Sequence, residues 1–374
     1  MEEGGLIPIV TSISKTVDLE DGQTNGGELK KAPLSKISIL TSFHAGYFRI
    51  SLSLSAQSLL WKTLNKSTAG HLIFPNAAFL LIWSLAFFSL TIVSLFYISR
   101  CILRYPSVRL EFSHHIGVNY LFAPFISSLL LLQSASFIRS SSKLYIIPCL
   151  LSSVPILVLD IKIYGQWFTA RGKRFLSTVA NPTSLLTVIG NLVGARAAAM
   201  MGWRESAMCM FALGIAHYFV LFVTLYQRLE YSGGGALPAM LRPVFFLFFA
   251  APSMASLAWS SIAGSFDLLC KMLFFLSLFL FASLVSRPAL FKRSMKRFNI
   301  AWWAYSFPLT LLALAANEYT QEVKGDISNA LMLIISIISV LVTLALIFFS
   351  AVNPSLLLPR DDPFLPSPLI PPAT

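Results

Sequence analysis

The sequence predicts an all-α integral membrane protein of ten transmembrane helices, arranged as five hairpins around a central pore. Three observations carry this. Of the 374 residues 56% are hydrophobic, 31 are Phe and only 12% are charged, too few charges to cover a soluble surface. Ten apolar stretches each have the roughly 20 residues that a bilayer of about 30 Å requires, at about 43–63, 77–99, 116–137, 144–168, 182–202, 205–228, 243–263, 267–286, 299–319 and 328–352. Short proline-bearing steps recur on alternate stretches: FAPF at Pro124, ANPT at Pro182, AAPS at Pro252 and SFPL at Pro308. Their separations of 58, 70 and 56 residues each correspond to one helical hairpin.

Residues 1–41 are polar and mixed in charge and read as a mostly disordered cytosolic tail. The opening MEEGGLIPIV is acidic and lacks a basic run ahead of an apolar core, so the first span is expected to act as its own insertion signal. That span, YFRISLSLSAQSLLW, carries serines where the other odd spans carry proline, and it holds Arg49 about seven residues in, roughly 10 Å along the helix. A proline within a span removes a backbone hydrogen bond and is tolerated where neighbours or a watery cavity satisfy the freed carbonyl. Pro124, Pro182, Pro252 and Pro308 are therefore expected to kink the odd helices near a pore wall. The even spans, of which LLIWSLAFFSLTIVSLFYI and MLFFLSLFLFASLV are typical, read as a bulky, proline-free outer ring facing lipid. Residues 353–374 are Pro-rich and form a cytosolic C-terminal tail that is not helical.

Charge sets the expected orientation. With a cytosolic N-terminus the inner loops hold Arg100, Arg104, Arg109, Arg171, Lys173, Arg174, Arg228, Arg242 and the basic run ending at Arg297. The outer loops hold Lys62, Lys66, Arg139, Lys143, Arg204 and Lys324 with most of the loop acids, Glu318 among them. This bias places both termini inside. The net charge of +12 follows the membrane segments rather than a soluble module, so no nucleic-acid partner is indicated. The four cysteines lie apart from one another with no His/Cys cluster, which argues against a metal site or a disulfide framework. No nucleophile–base pair assembles, so neither an enzyme nor a cofactor is expected.

Charges inside spans call for partners. Arg49 either lines an inner vestibule, where a fixed cation lowers the cost of dehydrating an anion, or pairs with Asp160 at a similar depth in the fourth span. Arg196, near the outer end of the fifth, either attracts anions or contacts lipid or Glu205. His217 reads as an interhelical hydrogen-bond donor. In RPALFKRSMKRF, Lys292/Lys296 and Arg293/Arg297 are four apart and, if helical, present a basic stripe to anionic lipid or a cytosolic regulator.

The segments LDIKIYGQWF, VANPTSLLTVIGNLVGA, AHYFVLFVTLYQRL, FFAAPSMASLAWSSIAGSFD and FNIAWWAYSFPLT, in this order, resemble the plant slow-type (S-type) anion channels, distant relatives of the bacterial tellurite-resistance/dicarboxylate transporters. The resemblance implies quasi-fivefold symmetry, a pore lined by the odd helices, a plasma-membrane homotrimer or heterotrimer, and passive flow of chloride, nitrate or related inorganic anions. It also implies that Phe307, just before Pro308, blocks the pore, while Ala123 and Ala251 hold the corresponding positions of helices three and seven. Two positions depart from the pattern: Phe48-Arg49-Ile50 stands where many relatives read Phe-Gly-Ile, and Arg196 stands where an apolar residue is usual. With short tails, these departures leave open a poorly conducting modifier subunit of mixed trimers. A coupled organic-acid transporter is a third reading, weakened by odd helices that carry no mid-membrane acid.

Overall fold

The computed structural model describes residues 43–66, 76–169, 180–228, 239–292, 294–295 and 298–353. Both tails, and with them Arg293, Lys296 and Arg297, lie outside the described residues. The long helices are α1 (Phe48–Lys66), α2 (Asn76–Leu103), α3 (Ala123–Ser134), α4 (Lys143–Thr169), α5 (Leu185–Met200), α6 (Arg204–Arg228), α7 (Leu247–Ala263), α8 (Leu268–Val285), α9 (Trp303–Val323) and α10 (Asp326–Val352). Among the described residues nine helical stretches are long and apolar enough to cross a bilayer. The serine-rich α1 has the length without the hydropathy.

The helices form two concentric layers. In the stretches containing α3, α5, α7 and α9, 78–94% of residues are buried, against 17–39% in those containing α2, α4, α6, α8 and α10. Residues 51–60 of α1 are buried throughout, which places α1 with the inner set. Each inner helix packs on the next: α1 on α3, α3 on α5, α5 on α7, α7 on α9, and α9 back on α1. The ring is closed. Every outer helix packs on its own inner partner and on the following one, α10 covering the seam between α9 and α1. Large apolar side chains such as Leu81, Phe88, Ile161, Phe279 and Phe348 stand exposed on this outer layer, as lipid contact requires.

Three inner helices begin with one device. His44, Asn181 and Asn299 are extended N-cap residues whose side chains accept from the backbone N–H two residues on, and each starts a three-residue 3-10 turn that runs into the α-helix. These caps satisfy amides that a helix start leaves open.

The prolines differ from expectation in two ways. Pro182 opens the turn before α5 and Pro124 lies in the first turn of α3, where the missing N–H costs nothing. They therefore start helices rather than kink them. Pro252 and Pro308 do lie inside α7 and α9. The Phe248 carbonyl, deprived of its Pro252 donor, accepts from the Tyr218 hydroxyl of α6 at 3.4 Å. The outer layer is not proline-free, because Pro148 and Pro155 lie inside α4.

Serines do for α1 what apolar residues do elsewhere. Ser51 pairs with Ser127 of α3, Ser58 donates to Ser134 of α3, and Ser53 donates to the Trp303 carbonyl. Gln57 Nε2 lies within hydrogen-bond reach of Thr310 of α9 and of Ser339 and Thr343 of α10. Small polar residues let the helices approach closely and satisfy one another away from water.

Candidate functional site: the axis of the inner ring

A cavity of about 20 Å³ lies within the inner ring, where all five inner segments meet, with room for about one water molecule. Arg49 and Leu52 come from α1, Tyr120 from the turn before α3, Leu186 from α5, Val244 and Leu247 from the α7 segment, and Trp303, Ala304 and Phe307 from α9. The shared helix starts explain this convergence. Arg49, Leu186 and Ala304 each stand five residues after the N-caps His44, Asn181 and Asn299, so they occupy one layer. Leu52 and Phe307 stand eight residues after theirs, one turn further in.

Phe307 is buried at 2% exposure and forms part of the cavity wall. Pro308 behind it leaves the carbonyl of Ala304, another wall residue, without its helical donor. Ala123 and Ala251 are fully buried, but α3 and α7 border the cavity through larger side chains instead. None of the four repeat prolines touches it.

Arg49 is in the first turn of α1, not seven residues deep, because the backbone before Phe48 is a 3-10 turn. Its Nε donates to the Gly46 carbonyl at 2.8 Å, and its guanidinium lies 4.7 Å from the Tyr120 ring centroid. No pair with Asp160 forms. Asp160 instead accepts from Asn191 Nδ2 of α5 at 2.6 Å, tying α4 to α5. Arg49, 4% exposed, is thus a buried cationic residue that forms part of the wall of a mainly apolar axial cavity. The close approach depends on Gly46: a Cβ there would sit 2.5 Å from the His44 ring and 2.8 Å from Arg49 Nη2.

Arg196 does not contact Glu205. Its Nη1 donates to Gln133 Oε1 of α3 at 3.0 Å, and its Nη2 lies 3.3 Å from Glu318 Oε1 of α9. Glu318, expected in a loop, is inside α9. Arg100, expected as a loop charge, is buried against Glu111 at 2.7 Å, and Glu111 also accepts from the Ala45 N–H at 2.7 Å. This pair anchors the start of α1. Gln133 and Glu318 escaped sequence reasoning because their partner Arg196 is 63 and 122 residues away, and Glu111 because one of its two partners, Ala45, is 66 residues away. His217 bonds within its own helix to the Leu213 carbonyl and stacks on the Tyr164 ring of α4. Around Lys292 the described backbone forms a 3-10 turn at Pro288–Leu290 and further turns, not a helix.

The family model described as SLAC1, voltage-dependent anion channel, matches residues 42–351. Among curated proteins of Arabidopsis thaliana, the S-type anion channel SLAH1 is 56% identical over 340 residues, covering 90% of this chain and 87% of that one. S-type anion channel SLAH4 is 56% identical over 329 residues, covering 88% of each. The guard cell S-type anion channel SLAC1 is 43% identical over 303 residues, which span 80% of this chain and 54% of the longer relative. A closed ring of five inner helices and a sequence match along nearly its whole membrane part make this chain a member of the SLAC1 family of anion channels.

Proposed function

We propose that the chain is a slow-type anion channel subunit of the plasma membrane that passes chloride- or nitrate-like anions passively, and that Phe307 closes the pore. The observation that carries this reading is the axial cavity, to which all five inner segments contribute and whose wall includes both Arg49 and Phe307. A narrow apolar constriction excludes ions without a charged latch, and a fixed cation one turn away offsets part of the cost of bringing an anion to it. Both termini are cytosolic on the loop-charge rule, so the helix starts with Arg49 face the cytosol. Subunits assemble as trimers, alone or mixed, with one pore each.

Two-electrode recording of Phe307→Ala is the test. A constitutive current whose reversal potential follows the chloride or nitrate gradient and ignores pH is the expected result. Well-expressed subunits that stay silent would refute Phe307 as the closure. The ion pair between Arg196 and Glu318, inside the ring, favours a second reading in which the chain conducts poorly by itself and modifies related subunits. In that case current changes only on coexpression with a conducting relative.

A further inference from the structure

At the far end of the inner ring, opposite the helix starts, a second set of side chains converges from all five inner helices. Arg196 of α5 spans from Gln133 of α3 to Glu318 of α9. Lys62 of α1 donates to the Gln133 carbonyl at 2.6 Å, Gln133 Nε2 donates to the Val193 carbonyl at 3.1 Å, and the Ser260 hydroxyl of α7 lies against Glu318. Neighbours in the ring run α1–α3–α5–α7–α9, so α5 and α9 are separated by α7. A contact between Arg196 and Glu318 must therefore reach across the interior of the ring.

The polar capacity here is not used up. The Arg196 side chain is 9% exposed, yet its Nε, and likewise Glu318 Oε2, is buried with no hydrogen-bond partner among the described residues. Arginine carries five N–H donors in a planar fork suited to carboxylate or oxyanion geometry. We propose that Arg196, which shares Gln133 with Lys62, is an anion-binding site at the outer mouth of the axial path, and that the chain's own Glu318 carboxylate occupies it as an internal competitor. The ligand class is a small oxyanion or halide, nitrate or chloride, that accepts from the guanidinium in place of Glu318. Two barriers then lie in series on one axis: the apolar ring of Phe307 and, toward the other face, this charged clasp. The proposal rests on the channel reading for its effect on current but not for binding.

Binding is read on the full-length protein purified in detergent, from the melting temperature in nitrate against gluconate at equal ionic strength. Losing a charge-assisted competitor is worth about ten- to a hundredfold in an equilibrium, so Glu318→Gln is expected to lower the half-saturating nitrate concentration by at least about tenfold. Adding Arg196→Gln to it should abolish the nitrate shift. Glu318→Asp, one methylene too short to hold the same contact, gives an intermediate value and serves if the glutamine variant does not fold. Nitrate titrations of both Glu318 variants that match the unsubstituted protein, or a shift that survives loss of Arg196, would overturn the proposal. In the Phe307→Ala background, removing the Glu318 charge should further raise anion current. A Phe307→Ala variant that does not conduct strikes the channel reading alone, because the melting shift is independent of conduction.

Discussion

Removal of Arg49 separates electrostatics from packing at the axis. Arg49→Ala deletes, among its contacts, a hydrogen bond to the Gly46 carbonyl and a contact with the Tyr120 ring, these two together worth about 2–4 kcal/mol. It also relieves the cost of holding a charge at 4% exposure, which is of several kcal/mol and opposite sign. The two effects on stability therefore oppose each other. The effect on an anion follows from the charge itself. An anion level with Phe307, one turn from Arg49 and about 6 Å away, gains about 3 kcal/mol from the charge at an effective dielectric constant of about 20, roughly a hundredfold in occupancy. Recorded in the Phe307→Ala background, Arg49→Ala should cut current at low anion concentration by about ten- to a hundredfold, with Arg49→Lys retaining most of it. Because Asp160 bonds to Asn191 rather than to Arg49, the Arg49→Ala/Asp160→Ala cycle should show a coupling below about 0.5 kcal/mol. An unchanged current, or a coupling well above that figure, would refute the placement of Arg49 on the conduction axis.

Gly46→Ala forces a Cβ against the His44 ring and Arg49, so thermal melts of the purified variant should show a loss of about 1–3 kcal/mol; a melting temperature equal to that of the unsubstituted protein would count against the close packing. Gln57→Leu removes the donors that join α1 to α9 and α10, while Thr310, Ser339, Ser306 and Thr343 retain bonds among themselves. A loss of about 1–2 kcal/mol is expected on the same melts, and a leucine variant as stable as glutamine would show that seam to be held by packing alone.

The two-layer membrane fold was legible because its determinants are local: apolar runs of bilayer length and a hairpin-spaced signature at Pro124, Pro182, Pro252 and Pro308. The prolines misled about their own role. Whether Pro182 kinks a helix or starts one depends on the cap formed by Asn181, and Pro148 and Pro155 show that proline alone does not mark the inner layer. Arg49 and Arg196 stood out because charge among apolar residues is conspicuous, but their partners did not. Gly46, Gln133 and Glu318 look unremarkable in their own segments, and only the closing of the ring brings the last two to Arg196. The sequence counts Glu318 among the loop acids because it stands one residue inside the limit at 319, whereas α9 runs on to Val323 with polar last turns.

The seam between α9 and α1 has a consequence for biogenesis. The ring is continuous in space but open in the chain, and its ends meet only through α1, α9 and α10. Ser53 and Gln57 enter the bilayer early in synthesis, while Trp303, Thr310, Ser339 and Thr343, the groups they bond, follow 250 to 286 residues later. Until the final hairpin inserts, α1 offers an edge of side-chain donors that lipid cannot satisfy. Such an edge is a feature by which a membrane quality-control system could tell an unfinished chain from a finished one, so a ribosome-arrested or truncated product lacking α9 and α10 should be held by insertion chaperones or degraded, whereas supplying the missing hairpin as a separate polypeptide should release it.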